Sequence, residues 1–88
     1  MPSGLVRVLG VVVREEREWQ AYSRAELAAL ARVDAGMIYR LECGKVGDVG
    51  LDFAMRLADA LGYRLPDLLI VAGDRMLVEE REASGGPR

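Results

Sequence analysis

An all-α fold, a compact bundle of four or five helices, is what three stretches of this 88-residue chain predict. Residues 23–42, SRAELAALARVDAGMIYRLE, read as two short helices with a tight break between them. Ser23 stands three residues before Glu26, the spacing of a capping box, and Leu27, Ala28 and Ala31 then share one face. Asp34 suits the N-cap of the second helix, which turns Ile38 and Leu41 inward before a glycine stop at Cys43-Gly44-Lys45. In residues 51–61, Leu51, Ala54, Leu57, Ala58 and Leu61 recur at core spacing, and Gly62 caps the C-terminal end. Leu65-Pro66-Asp67 restarts the chain, because proline fits a first helical turn, with Leu68 and Leu69 facing inward.

The remaining stretches are less uniform. In residues 5–13, LVRVLGVVV, the β-branched content favours a strand, and Gly10 weakens a helix by roughly 1 kcal/mol. Yet Leu5, Leu9, Val12 and Trp19 fit a helical stripe, and the following REERE contains good helix formers. Propensity alone leaves both open. In EWQAY, Trp19 and Tyr22 are expected to pack on the edge of the core rather than stack on nucleotides. Residues 44–50, GKVGDVG, carry three glycines in seven positions and read as a loop. Residues 1–73 therefore form the domain and 74–88 an extension. Within it DRMLVEERE is one more helix or a loose segment, and ASGGPR is disordered.

Composition bounds the function. A chain of this length is one small domain with a single core. It is 51% hydrophobic and 30% charged, which suits a soluble globular protein. No apolar run is long enough to span a membrane, and Met1-Pro2-Ser3-Gly4 lacks a signal peptide's basic start, so a cytoplasmic protein without membrane contact is expected. The lone Cys43 makes no intrachain disulfide, and without histidine there is no zinc-finger set. No metal or cofactor is expected. An enzyme is not expected either: Cys43 has no histidine partner, and the glycine-rich loop follows a helix without P-loop spacing. Net charge is −2, from 12 basic and 14 acidic residues, unlike a strongly basic nucleic-acid binder. The acids cluster at Glu15, Glu16 and Glu18 and at Glu79, Glu80 and Glu82. Between residues 23 and 47, Arg24, Arg32, Arg40 and Lys45 face Glu26, Asp34 and Glu42, which leaves that segment slightly positive.

Ser23, Leu27-Ala28, Val33, Ile38, Leu41-Glu42 and Gly44-Lys45 stand in one ungapped register, and residues 51–69, LDFAMRLADALGYRLPDLL, follow. That layout resembles the helix-turn-helix of the Cro and phage-repressor type, the Cro/C1 family, over roughly residues 9 to 69. The resemblance implies a lambda-repressor-like DNA-binding domain and tips residues 5–13 to a first helix. It makes residues 35–42 the helix that enters the major groove, while the preceding helix crosses the backbone. The base-facing positions are then Ala35, Gly36, Met37, Tyr39 and Arg40. Arg40 can bond both O6 and N7 of guanine, Ala35 and Met37 make only apolar contacts, and Tyr39 reaches a base or a phosphate. Where relatives often carry polar or basic readers, Ala35 and Gly36 are mute, so direct readout is thin and leans on Arg40 and DNA shape.

The phosphate set implied is Arg24, Arg32, Lys45 and the amides around Gly44. Arg32 replaces the usual turn glycine, which implies either positive φ at that residue or a reshaped turn. Asp34 replaces the usual Ser or Thr, so it caps well but repels phosphate. In the family an arginine of the first helix pairs with the glutamate ending the groove helix. If the extra residues after Arg17 bulge outward, that pair is Arg14 and Glu42. The implied function is a sequence-specific regulator of transcription bound to double-stranded DNA as a homodimer through residues 65–78. Two alternatives stand beside it: an antitoxin that binds DNA and a toxin partner, and a helix-turn-helix scaffold that serves only protein interaction.

Overall fold

Five helices make up the computed structural model, which describes residues 4–84: α1 (Gly4–Trp19), α2 (Arg24–Ala31), α3 (Ala35–Glu42), α4 (Leu51–Ala60) and α5 (Leu65–Ser84). Helices α1 and α5 pack along each other, α3 crosses α1, and α2 lies against α3 and α4. Val8, Val13, Leu27, Ile38, Leu41, Leu57 and Leu68 are fully buried at the centre. Each such side chain contributes about 1.5–3 kcal/mol relative to exposure.

Residues 5–13 are helical, and the valines that favoured a strand lie on the buried side: Val8, Val12 and Val13 are at most 2% exposed. Gly10 has a specific reason to be there. A Cβ at this position would stand 2.1 Å from the Leu41 carbonyl oxygen and 2.9 Å from its carbon. The backbones of α1 and α3 therefore meet at Gly10, and the loss of helix propensity is offset by the close approach.

The residues after Arg17 do not bulge. They extend α1 to Trp19, and the chain then turns through Ala21 at φ 62, with Ala21 N donating to Glu18 O and Tyr22 N to Arg17 O. Gln20 Nε2 donates to the Leu61 carbonyl at 2.9 Å and pins this turn to the end of α4. Burial, with help from the neighbouring Glu16, holds the Tyr63 hydroxyl above its ordinary pKa in the α4–α5 connection. The expectation that Trp19 covers the core is corrected, since it is 85% exposed. It follows the buried Arg17 by two residues, about 200° round the helix, and so points outward. Tyr22 does pack against the core.

Leu51 and Leu69, expected inside, are exposed. They line a shallow apolar groove of about 210 Å³ with Leu5, Leu9, Val49 and Leu65. Both sit on the sides of α4 and α5 that face α1, and the groove between these helices stays open to solvent there.

Gly73 does not divide the chain. Helix α5 runs through it, and its second half lies on α1: Arg75 meets Glu15 at 2.6 Å, Arg7 pairs with Glu79, and Met76 approaches Gly4. The extension from residue 74 is thus continuous with the bundle up to Ser84. The last residues of the ASGGPR tail, 85–88, lie outside the described residues.

The Gly10 contact is directly testable. Gly10→Ala should destabilise the fold by about 1–3 kcal/mol despite alanine's better helix propensity, because overpacking here pushes backbone against backbone. Urea unfolding of the two proteins measures it, and a gain in stability would show that α1 and α3 do not meet at this point.

Candidate nucleic-acid interface

Ser23 begins α2 with both halves of the capping box in place. Its hydroxyl accepts from Glu26 N at 3.0 Å, and Glu26 Oε1 accepts from Ser23 N at 2.8 Å. These bonds, the backbone one first, hold the Glu26 carboxyl below its ordinary pKa. The helix ends on Arg32 at φ 58 and ψ 48, so positive φ rather than a reshaped turn is what replaces glycine. An L residue there costs roughly 1–2 kcal/mol. The Arg32 amide and the Val33 amide both donate to Ala28 O, and Arg56 Nη1 donates to the Arg32 carbonyl, bracing the turn from α4. The Arg32 side chain remains exposed.

Asp34 caps α3 by accepting from Met37 N at 3.2 Å. Beyond it the mute positions acquire a purpose. A Cβ on Gly36 would stand 2.9 Å from Asp34 Oδ2 and 3.5 Å from Arg40 Nη1. Arg40 folds back along α3 over this gap, donating to Met37 Sδ at 3.0 Å and lying 4.0 Å from Asp34 Oδ2. The longest basic arm of the helix thus occupies the surface that Ala35 and Gly36 leave empty. Ala35, Gly36 and Met37 are half-buried, whereas Tyr39 and Arg40 are exposed.

At its other end α3 closes with Gly44 at φ 71. Gly44 N donates to Leu41 O at 3.1 Å and Lys45 N to Arg40 O at 2.8 Å. This corrects the expectation that amides around Gly44 receive phosphate: the helix's own last carbonyls occupy them. Of that pair only the exposed Lys45 side chain remains for an anion.

The ion pair at the end of α3 is also redrawn. Arg17, not Arg14, holds Glu42, with Nε to Oε2 at 2.8 Å and Nη2 to Oε1 at 3.0 Å. Arg14 instead points to solvent and meets Glu18 at 3.4 Å. Counted from Gly10, Arg17 lies about 20° round the helix on one side and Arg14 about 40° on the other, and the bonds to Glu42 come from the Arg17 side. Arg17 Nη1 also donates to the Tyr22 carbonyl at 2.8 Å, and its bond to Glu42 holds its pKa above the ordinary arginine value. Arg24, expected on phosphate, is a second partner of the same carboxylate, Nε to Oε1 at 2.9 Å. Its guanidinium lies 5.1 Å from the centre of the Tyr39 ring. The Glu42 side chain is 1% exposed, that of Arg17 9% and that of Arg24 37%.

Two helices joined by a tight αL turn, with an exposed second helix flanked by Arg32, Arg40 and Lys45, define a helix-turn-helix protein of the DNA-binding regulator class. A helix-turn-helix family model matches residues 13–68, well over half of the sequence, and the chain belongs to that Cro/C1-type family. Among solved structures, it is similar to two of the clp gene regulator ClgR from Corynebacterium glutamicum. One superposes with a TM-score of 0.82 at 29% identity, covering 91% of this chain and 84% of that one. The other superposes with a TM-score of 0.72 at 32% identity, covering 86% and 96% respectively. No curated protein matches the sequence significantly. Among the described residues no helix is long and apolar enough to cross a membrane.

The two arginines of α1 should behave differently. Arg17→Ala leaves Glu42 buried against a half-exposed partner and should cost about 3–5 kcal/mol. Arg14→Ala should stay within about 0.5 kcal/mol. Thermal and urea unfolding of both variants measure the contrast, and equal effects would return the pair to Arg14.

Proposed function

We propose that the protein is a sequence-specific transcriptional regulator that lays α3 in the major groove and binds a two-fold site as a homodimer. The observation that carries this reading is the exposed side of α3. Arg40 and Tyr39 stand clear of the bundle, and the Arg40 guanidinium is gathered over Gly36 toward the helix start, where a groove-entering helix meets base edges. Arg40 is assigned to guanine, Tyr39 to a base or phosphate, and Ala35, Gly36 and Met37 to close apolar approach. Lys45 and Arg32 serve phosphates on either side, and Arg24 does so only with the donors that Glu42 leaves it. The similarity to a gene regulator over nearly the whole chain supports the same reading.

Dimerisation is supported by the surface of α5. Of the apolar residues of its segment, Leu68 is buried, Met76 turns to α1 and Leu69 lines the groove beside Leu51, while Ile70, Leu77 and Val78 are exposed at 60%, 56% and 47%. Their spacing of seven and eight residues puts them on one face. A two-fold packing of α5 on its copy would cover that face and let two modest half-site affinities combine.

Two experiments test the proposal. Titration of duplexes at several salt concentrations should separate the cations. Arg40→Ala should cost about 1–3 kcal/mol on the preferred site and relax preference at one base pair. Lys45→Ala should weaken all duplexes alike and lower the salt slope by about one. An Arg40→Ala protein that weakens on every sequence equally would make Arg40 a phosphate contact. For assembly, sedimentation should show a dimer that Leu77→Glu converts to folded monomer with lost preference for the two-fold site. A wild type that stays monomeric at the concentrations that saturate its DNA would remove the dimer.

A further inference from the structure

Glu42 is one buried anion shared by two guanidiniums. Arg17 is nearly buried, committed at Nε, Nη1 and Nη2, and has Glu18 at 4.0 Å as a further carboxylate, whereas Glu42 is the carboxylate that holds Arg24. Arg24 is held in an unusual way for an arginine near the start of a surface helix. It is fixed at Nε by Glu42, and its guanidinium carbon stands over the Tyr39 ring within cation–π range. Among the described residues no acceptor meets its Nη1 or Nη2. A cation meant only for phosphate needs none of this anchoring. The arrangement does something else: it covers one face of the Tyr39 ring and so restricts the direction in which the ring and hydroxyl leave α3.

We infer that Arg24 is a positioning residue, which, locked by Glu42, sets the orientation of Tyr39 and thereby the base preference of α3. This rests on the DNA-reading function proposed above. The geometry needs arginine specifically. A lysine supplies the same charge from a single point and cannot bond Glu42 through one nitrogen while the rest of a guanidinium stands over the ring. Charge at position 24 and preference at Tyr39 are therefore separable by substitution. Tyr39 becomes a specificity-determining side chain whose effect depends on a residue of the preceding helix.

The probes are a duplex selected from a random pool by the wild type and a scrambled duplex of the same composition. Arg24→Lys keeps the charge, so its loss of affinity on the scrambled duplex should be far smaller than its loss on the selected one. Its preference for the selected duplex should fall about tenfold. Tyr39→Leu should lose preference by the same factor, and the double variant should lose no more than either alone. Arg17 still holds Glu42 in these proteins, and a melting curve confirms that each is folded. In the DNA-free protein, Arg24→Lys should also shift the Tyr39 ring resonances. Preference retained in Arg24→Lys, losses that multiply in the double variant, or unmoved Tyr39 resonances would each overturn the inference. A wild type with no preference for any duplex would instead overturn the DNA reading itself, and the ring resonances would still report whether Arg24 holds Tyr39.

Discussion

Glu42 ends α3 with its carboxylate almost wholly out of water, a position in which a charge survives only if protein groups replace the lost hydration. Arg17 from α1 and Arg24 from α2 do so, which makes one side chain the meeting point of three helices. Close by, Gly10 brings the backbone of α1 against Leu41, the residue before Glu42. The two contacts act together. The glycine sets how near α3 comes to α1, and the bidentate arginine sets how it is rotated there. A helix that must present particular side chains outward has little freedom left once both are in place.

Much of this was legible in the residues themselves. Ser23 with Glu26, Asp34 ahead of Ile38 and Leu41, and Gly44 and Gly62 as stops are local signals whose partners lie within a turn, and the helix ends follow them closely. What the sequence did not disclose depended on distance. Arg14 and Arg17 are equally plausible partners for Glu42 until the length of α1 is known, and that length turns on whether EWQAY bulges or winds. A helix-spaced Leu51 or Trp19 reads as core, yet the core ends before it reaches either. Gly10 signalled helix weakness because its reason, a carbonyl 31 residues away in the chain, has no local trace. Counting from Gly10 does not separate the two arginines, because positions four and seven residues on both fall on its face.

Electrostatics divides the molecule. Glu15, Glu18 and Glu79 of α1 and α5 are engaged with arginines on those same helices, Arg75 with Glu15 and Arg7 with Glu79 on the side that joins α5 to the bundle. Around α2 and α3, Arg32 and Lys45 stand exposed and Arg40 lies 4.0 Å from Asp34. A net charge of −2 is therefore compatible with a locally positive surface. Such a surface attracts an anion with moderate strength and leaves discrimination to geometry rather than to bulk charge.

Asp34 and Gly36 sit two positions apart, and the space a side chain would take at 36 is the space in which the cap carboxylate rests. In evolutionary terms the two positions are epistatic. A side chain added at 36 displaces the exposed Asp34 carboxylate from where it rests, so a new reader there acts on the cap as well as on the groove. Diversification of this surface would then begin at Tyr39 and Arg40, where side chains already stand in the open.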